Sequence, residues 1–299
     1  MKYLGIDLGG TNIKTVIIDA NGKVIAKDKI STEDSASNPD KWKQNIINLI
    51  DENTKKYTDN NPSQLICGIS APGLVGFKNK QIDFMPGRLH GLEGYNWSSE
   101  INRDIIVVND AHSACIAEYE VYHKDNVKNM LMLTLGTGVG GAMVINGELF
   151  QGAFQRAGHF GHISVDHMGA SSMTNMVGSL EYAIGNFSVE ERTHNKYKST
   201  RELVDAYKKG DPLASFWWLL SVQKLATGIA SLINAYSPEL IVIGGGITSA
   251  DDALFKPLND FLSVYEWRPD GHTVKIEKAK FGDYSGAMGA AFFAKQKNK

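Results

Sequence analysis

Cysteine is scarce in this sequence: two residues, Cys67 and Cys115, in 299, each inside an apolar stretch. Two thiols in a chain of this length make no disulfide framework, which excludes the small stapled scaffolds and favours a reducing compartment. Excess charge of either sign is missing as well, with 31 Lys and Arg against 33 Asp and Glu for a net −2. Such a balance leaves no electrostatic footprint for nucleic acid or an anionic membrane. No run approaches the roughly 18 apolar residues of a membrane span. The start, MKYLGIDLGG, has an acid at Asp7 and no long apolar segment, which argues against a secretory signal. The expectation is a soluble, cytoplasmic protein with neither nucleic acid nor membrane as partner. Low-complexity tracts, short-period repeats and flexible linkers are also absent. What is present is ordinary for a globular protein, 42% hydrophobic and 21% charged residues, at a length that suits two domains.

Strand and helix patterns alternate along the chain. KYLGIDLGG and NIKTVIIDANGKVIAKDKI read as three strands joined by Gly-Gly and DANG turns. PDKWKQNIINLIDENTKKY then places Trp42, Ile46, Leu49 and Ile50 at helical spacing after a proline start. LICGISAPG and DIIVVND are short apolar runs of buried-strand type, AHSACIAEYEVY is helical, and NMLMLTLGTG with GGAMVINGELF returns to strand. Beyond residue 200 come the helices TRELVDAYKKG and DPLASFWWLLSVQKLATGIASLINAYSP, the strand ELIVIGGG, the strand TVKIEKAKFG, and a last helix, SGAMGAAFFAKQ, with small residues on one face. This alternation indicates an α/β protein with mostly buried sheets. The strand pairs near residue 130 echo those at the start and hint at two related halves.

Three glycine clusters carry candidate chemistry. In GIDLGGTNIK a strand ends at Asp7, and Gly9, Gly10 and Thr11 turn into the next strand. Glycines there let backbone N–H groups approach phosphate oxygens, and a hydroxyl adds a donor. Asp7 at the strand end suits Mg²⁺, directly or through water; an ordinary Gly-Gly hairpin is the bland alternative. LTLGTGVGGAMVING repeats the strand–turn–strand plan with Gly136, Thr137 and Gly138. It is no Rossmann fingerprint, because a strand follows, and no Walker A loop, because no Lys-Ser/Thr pair closes it. The third cluster, Gly244, Gly245 and Gly246, follows a buried strand and fits a tight strand-to-helix turn equally well. Phosphate loops from two hairpins plus a late Gly-Gly near the adenosine resemble the actin-like, ribonuclease-H-like ATPase fold. That resemblance implies two domains with ATP and sugar in the interdomain cleft. In VVNDAHSACIAEY, Asp110 lies at the C-terminal end of a strand, where open α/β sheets bind ligands. A carboxylate there can accept the proton of an attacking hydroxyl, or it can simply cap the helix that follows.

Taken together and in order, GIDLGGT, VVNDAHSACIAE, LGTGVGGAMVING and GHFGHISVD resemble the ROK family of sugar kinases and repressors. The likeness runs from the first phosphate loop to the last helix. It implies transfer of the γ-phosphate of ATP to a sugar hydroxyl, usually O6 of a hexose, with Mg²⁺ positioned by Asp7. Asp110 would be the catalytic base, while Asn109, His159, His162 and Glu181 would surround the sugar. Gly9, Gly10, Thr11, Gly136, Thr137 and Gly138 would cradle phosphates, and Gly245 and Gly246 would lie near the adenosine. The expected division is a smaller domain, 1–118 plus 286–299, and a larger one, 119–285, in a homodimer.

Three departures from the family pattern stand out. Counting from His162, the three cysteines of the family's zinc loop fall on Ser172, Thr174 and Ser179, and the closing glutamate on Glu181. Hydroxyls are poor substitutes for thiolates, and His167 adds only one imidazole, so no zinc is expected. Packing of Met168, Met173 and Met176 with hydroxyl–backbone bonds is expected to hold the loop instead. Second, the Glu of the family's Glu-x-Gly-His is His159 here. A carboxylate accepts two hydrogen bonds from adjacent hydroxyls, whereas a neutral imidazole offers one donor and one acceptor. The change suits a sugar whose O1 is substituted, as in the cellobiose and aryl glucosides that the family's β-glucoside kinases accept. Equally, His159 can donate to the hydroxyls of an ordinary hexose. Third, FMPGRLHGLEG puts Arg88 where the family commonly has a sugar-binding Asn, so Arg88 or His90 is expected to touch substrate, unless Arg88 is a solvent-facing loop residue.

The resulting expectation is an ATP:sugar 6-phosphotransferase, best read as a β-glucoside kinase, with N-acetylmannosamine kinase or glucokinase as alternatives. A sugar sensor without catalysis is the rival of another class, but its DNA-binding module would precede Gly5 and finds no room there. An actin- or chaperone-like ATPase shares the fold but would not need the stretch at 158–181.

Overall fold

In the computed structural model, residues 1–35, 38–85, 89–172 and 174–298 are described. The chain runs β1 (Lys2–Leu8), β2 (Asn12–Asp19), β3 (Val24–Ser31), α1 (Lys41–Tyr57), β4 (Leu65–Ala71), β5 (Leu74–Val75), β6 (Ile82–Phe84), α2 (Trp97–Ile101), β7 (Ile105–Asn109) and α3 (Asp110–Glu118). It continues with β8 (Met130–Leu135), β9 (Val139–Ile145), β10 (Glu148–Leu149), α4 (Leu180–Ile184), α5 (Val189–Arg192), α6 (Thr200–Lys208) and α7 (Pro212–Tyr236). Then follow β11 (Leu240–Gly244), α8 (Asp252–Tyr265), β12 (Lys275–Lys278) and α9 (Ser285–Lys297). Every strand and helix expected from the pattern is present. The helix α8 was not anticipated; its sequence, DALFKPLNDFLSVY, carries Pro257 inside the helix, a residue that ordinarily argues against helix.

Two compact units emerge. The first comprises 1–126, 149–157 and 280–299, and the second comprises 127–148 and 158–279. The first therefore takes in more chain than 1–118 and 286–299. Two physical reasons are visible. The π-helical turn Tyr119–His123 continues α3 without a break. The buried Glu118 also accepts hydrogen bonds from the backbone N–H groups of Lys280 and Phe281, tying the segment before α9 to α3.

The first unit is built on a five-stranded sheet of order β3-β2-β1-β4-β7, with β1 antiparallel to β2 and parallel to β4. Its strands alternate between two cores, because successive side chains leave a strand on opposite faces. Leu4, Ile6, Leu8, Ile13 and Ile17 pack with Trp42, Ile46 and Ile50 of α1 and with Trp97. Tyr3, Val16, Ile18, Ile106 and Val108 pack with Ile116 of α3 and with α9 from Ala287 to Ala294. The small residues of α9 permit close approach: a methyl group on Gly5, Gly68 or Gly289 would run into a backbone carbonyl of Ala287, Ala290 or Ser113.

The second unit repeats the plan, with strand order β10-β9-β8-β11-β12, an antiparallel β8–β9 hairpin and parallel β11 and β12. All five residues of β11 are buried. Helix α7 packs against α4, α6 and α8. By length and composition α7 could cross a membrane, which departs from the absence of such a segment expected above. In this fold Trp218, Val222, Leu225 and Ile229 bury it as a core helix.

Candidate functional site

The first unit brings Asp7, Gly9, Gly10 and Asp110 together around a cavity of about 240 Å³, which Pro72, Leu89, Ser285 and Gly286 also line. Asp7 reaches it because β1 ends there, and the tight turn that follows is closed by the Gly9 N–H donating to the Asn12 carbonyl at 3.1 Å. Thr11 is exposed and is not part of this lining. Ser70 on β4 donates to Asp7 Oδ1 at 3.0 Å, and Gly286 leaves the space that the Asp7 carboxyl occupies. Burial pushes the Asp7 carboxyl up to about 6; the Ser70 hydrogen bond opposes this and the charge of Asp110 adds to it.

Asp110 opens α3, but the cap is Asn109. The Asn109 Oδ1 accepts from the N–H groups of Ala111 and His112 at 2.9 and 3.2 Å, and its Nδ2 donates to the Gly73 carbonyl at 2.9 Å. The capping alternative weighed for Asp110 thus belongs to its neighbour. Asp110 is exposed, and one of its oxygens accepts from the Ala111 N–H at 2.8 Å. Asn109 is buried with its carbonyl oxygen committed to the helix, so one amide hydrogen remains for any sugar. A carboxylate held at a strand end next to a second, partly protonated one suits both divalent-cation binding and proton transfer.

The second unit holds the remaining expected residues in two groups. Gly136, Thr137 and Gly246 line a cavity of about 690 Å³ together with Asn186, Thr200, Arg201, Val204, Asp205, Lys208, Ile247, Ser249 and Ala250. Gly138 and Gly245 are not in this lining. Gly245 instead makes the turn after β11 at φ +88°, where a methyl group would strike the Leu135 backbone. Sequence reading missed Arg201, Asp205 and Lys208. They fall four and three residues apart on α6, a charged stripe beside the buried Leu203 and Val204, and that spacing was the available signal. Nothing local marked Asn186 or Thr200.

In the other group, His162 Nδ1 lies 3.4 Å from Glu181 Oε1, and the His159 and His162 rings stack at 6.3 Å between centroids. The Glu181 contact raises the His162 pKa, although burial opposes it. Glu181 stands in the first turn of α4, and a methyl group on Gly138 would come 3.0 Å from its Oε2. The histidine stretch is thereby held directly under the second glycine turn.

The loop from 163 to 179 is fastened by backbone, not by methionine packing as expected. Met168 is 82% exposed and Met176 40%, while Met173 lies outside the described residues. The Val165 and Gly178 N–H groups donate to Gly178 and Ala170 carbonyls, and Lys224 pairs with Asp166 at 2.8 Å. Of the hydroxyls at the zinc-loop positions, Ser172 and Thr174 bond each other at 2.9 Å. Ser179, fully buried, caps α4. Among the described residues no group of three His, Cys, Asp or Glu is placed to hold a metal. Arg88 lies outside the described residues; His90 is exposed, and its neighbour Leu89 lines the smaller cavity.

A hairpin feeding parallel strands, used once in each unit and each time closed by a glycine turn, defines the actin-like ATPase fold. The chain belongs to the ROK family, which it matches over residues 3–297. It is 30% identical to a glucokinase of Halalkalibacterium halodurans, with 98% of this chain and 95% of that one aligned. Against an N-acetylmannosamine kinase of Haemophilus influenzae the identity is 28%, over 99% and 96%. The fold superposes on the crystal structure of a ROK hexokinase from Thermus thermophilus with a TM-score of 0.81, 23% identity and complete coverage of both chains.

Proposed function

We propose that this protein is an ATP-dependent sugar kinase that phosphorylates O6 of a glucose unit, with β-glucosides such as cellobiose as preferred substrates. The observation that carries the kinase reading is the meeting of Asp110, Asp7 and the Gly9-Gly10 turn around one cavity. In this reading Asp110 accepts the proton of the sugar O6 as that oxygen bonds to the γ-phosphorus and the bond to the ADP oxygen breaks. The exposure of Asp110 suits a base that must meet its substrate. Asp7 would hold Mg²⁺, directly or through water, and a carboxyl poised near pH 6 ionises readily once a cation neutralises it. The cation's part is to spread the charge of the transferring phosphoryl group. Amide groups of the two glycine turns would supply further donors. The larger cavity of the second unit, with Gly136, Thr137 and Gly246, is of a size for the nucleotide. His159, His162 and Glu181 would bind sugar hydroxyls. The cytoplasm, where ATP is plentiful, is the corresponding location.

The glycoside preference rests on His159 in place of the family's carboxylate. A free hexose or N-acetylmannosamine is the second reading, favoured by relatives that include glucokinases and N-acetylmannosamine kinases. ADP release over glucose, mannose, N-acetylmannosamine, N-acetylglucosamine, cellobiose and an aryl β-glucoside separates them. Turnover on the last two well above the free sugars is the expected result. Turnover confined to a free sugar would refute the glycoside preference and leave the kinase standing. Asp110→Asn should lower turnover on the best sugar by roughly 100-fold or more with ATP binding kept; near-normal rates would remove Asp110 as base.

A further inference from the structure

Arg192, at the end of α5, is a cation whose environment the reaction above does not explain. Its guanidinium is largely buried. Nη1 donates to the Gly185 carbonyl at 2.7 Å and to Ser188 Oγ at 2.6 Å. Nε and Nη2 are buried without a hydrogen-bond partner among the described residues, and no carboxylate there comes within ion-pair distance. Burial lowers its pKa to about 10, with the Tyr182 hydroxyl as the opposing influence, so the group is cationic at neutral pH. A buried, unneutralised charge costs stability, and burying an apolar side chain there would not.

What Arg192 grips is the turn 185–188, and that turn is bolted to the second glycine turn. The Asn186 N–H donates to the Gly136 carbonyl and the Phe187 N–H to the Thr137 carbonyl, both at 2.9 Å. Gly185 lies flat on that segment, since a methyl group there would meet the Thr137 carbonyl at 2.9 Å and the Gly138 Cα at 3.2 Å. A trans peptide is planar, with its C=O and N–H pointing in opposite directions. Fixing the carbonyls of Gly136 and Thr137 therefore fixes where the N–H groups of Thr137 and Gly138 point. The same turn reaches the wall of the large cavity. Asn186 Oδ1 accepts from the Thr200 N–H at 2.8 Å at the start of α6, and both residues line that cavity.

We propose that Arg192 is a positioning residue for the phosphate chain of the bound nucleotide: it clamps the 185–188 turn so that the amide of Thr137, a residue that lines the large cavity, is held ready for phosphate oxygens. The inference rests on the nucleotide reading of the large cavity. It distinguishes Arg192 from residues that touch ATP, because its side chain acts through two backbone segments. Both bonds leave one nitrogen, Nη1, so lysine keeps the charge and the donors but not the fixed planar direction in which they point.

The test is MgATP and MgADP affinity by isothermal titration calorimetry, together with steady-state kinetics, on wild type, Arg192→Lys, Arg192→Gln and Ser188→Ala, each first checked by circular dichroism and thermal melting. The expected result is a KM and Kd for MgATP raised about tenfold or more in Arg192→Gln, with the sugar KM within about twofold, equivalent to ~1.4 kcal/mol of nucleotide binding. Arg192→Lys should recover part of the loss and Ser188→Ala should show a smaller loss in the same direction. Should Arg192→Gln not fold, the Ser188→Ala shift in nucleotide KM alone decides. Variants that melt earlier but bind MgATP as wild type does would overturn the positioning role while leaving the kinase reading intact. Wild-type protein that binds no MgATP would overturn both.

Discussion

Asp7 is costly where it stands. Its carboxyl is held near pH 6 in the folded chain against an ordinary 3.8, so between about pH 4 and 6 the folded state keeps a proton that the unfolded chain has lost. Stability must then fall as pH rises through that window, and the whole cost, roughly 3 kcal/mol, is present above it. Asp7→Asn should gain about that much stability at pH 7.5 and flatten the slope between pH 4 and 6 in urea titrations, while losing Mg²⁺-dependent activity. An unchanged slope would show that another group titrates there. His162 has the opposite sign of dependence. Its pKa is raised by Glu181, so the charged pair is complete below about 6.5 and is lost as pH rises through the higher folded value. If the pair orders the sugar hydroxyls, the sugar KM should climb as pH rises through the raised His162 pKa, and Glu181→Gln should move that climb to lower pH without moving the MgATP KM. Both residues were legible from sequence as candidates. Their protonation behaviour was not, because it depends on how much water the fold leaves around them.

The elements that carry the site were the most legible part. β1, β7, β8 and β11 are short apolar runs closed by Gly, Asp or Asn, and each ends where a site residue stands. Helix α9 was read from its small residues, and its packing explains them. Gly289 sits where α9 crosses α3 so closely that a methyl group would enter the Ser113 carbonyl. Gly289→Ala should therefore destabilise the protein by about 1–3 kcal/mol or more in chemical denaturation, despite alanine's better helix propensity; a stabilised variant would mean that the helices separate easily. Illegible elements were those in which a local rule was overridden. Pro257 lies within α8, where Leu254, Leu258 and Leu262 are buried, and tertiary packing outweighs the missing N–H. The methionines at 168 and 176 had no core to enter, because the loop that bears them is closed by its own backbone bonds.

At the scale of the whole chain, two units each own a core, and large independent cores unfold with limited coupling. Scanning calorimetry should accordingly give a van't Hoff enthalpy below the calorimetric one, and MgATP near 100 times its Kd should stabilise the binding species by about 2.7 kcal/mol. A single two-state transition would argue for one cooperative block. The sequence by itself determined the α/β class, the duplicated hairpins, the glycine turns and the acids at strand ends. Those depend on periodicity and on turn chemistry, which are local in the chain. Only the tertiary structure decided that Asn109 rather than Asp110 caps α3, that α6 turns Arg201, Asp205 and Lys208 to the large cavity, and that Arg192 lies behind the second glycine turn. These facts join residues distant in sequence or choose between neighbours with equal propensity, and the choice is made by burial and by the direction of hydrogen bonds, which no stretch of sequence contains alone.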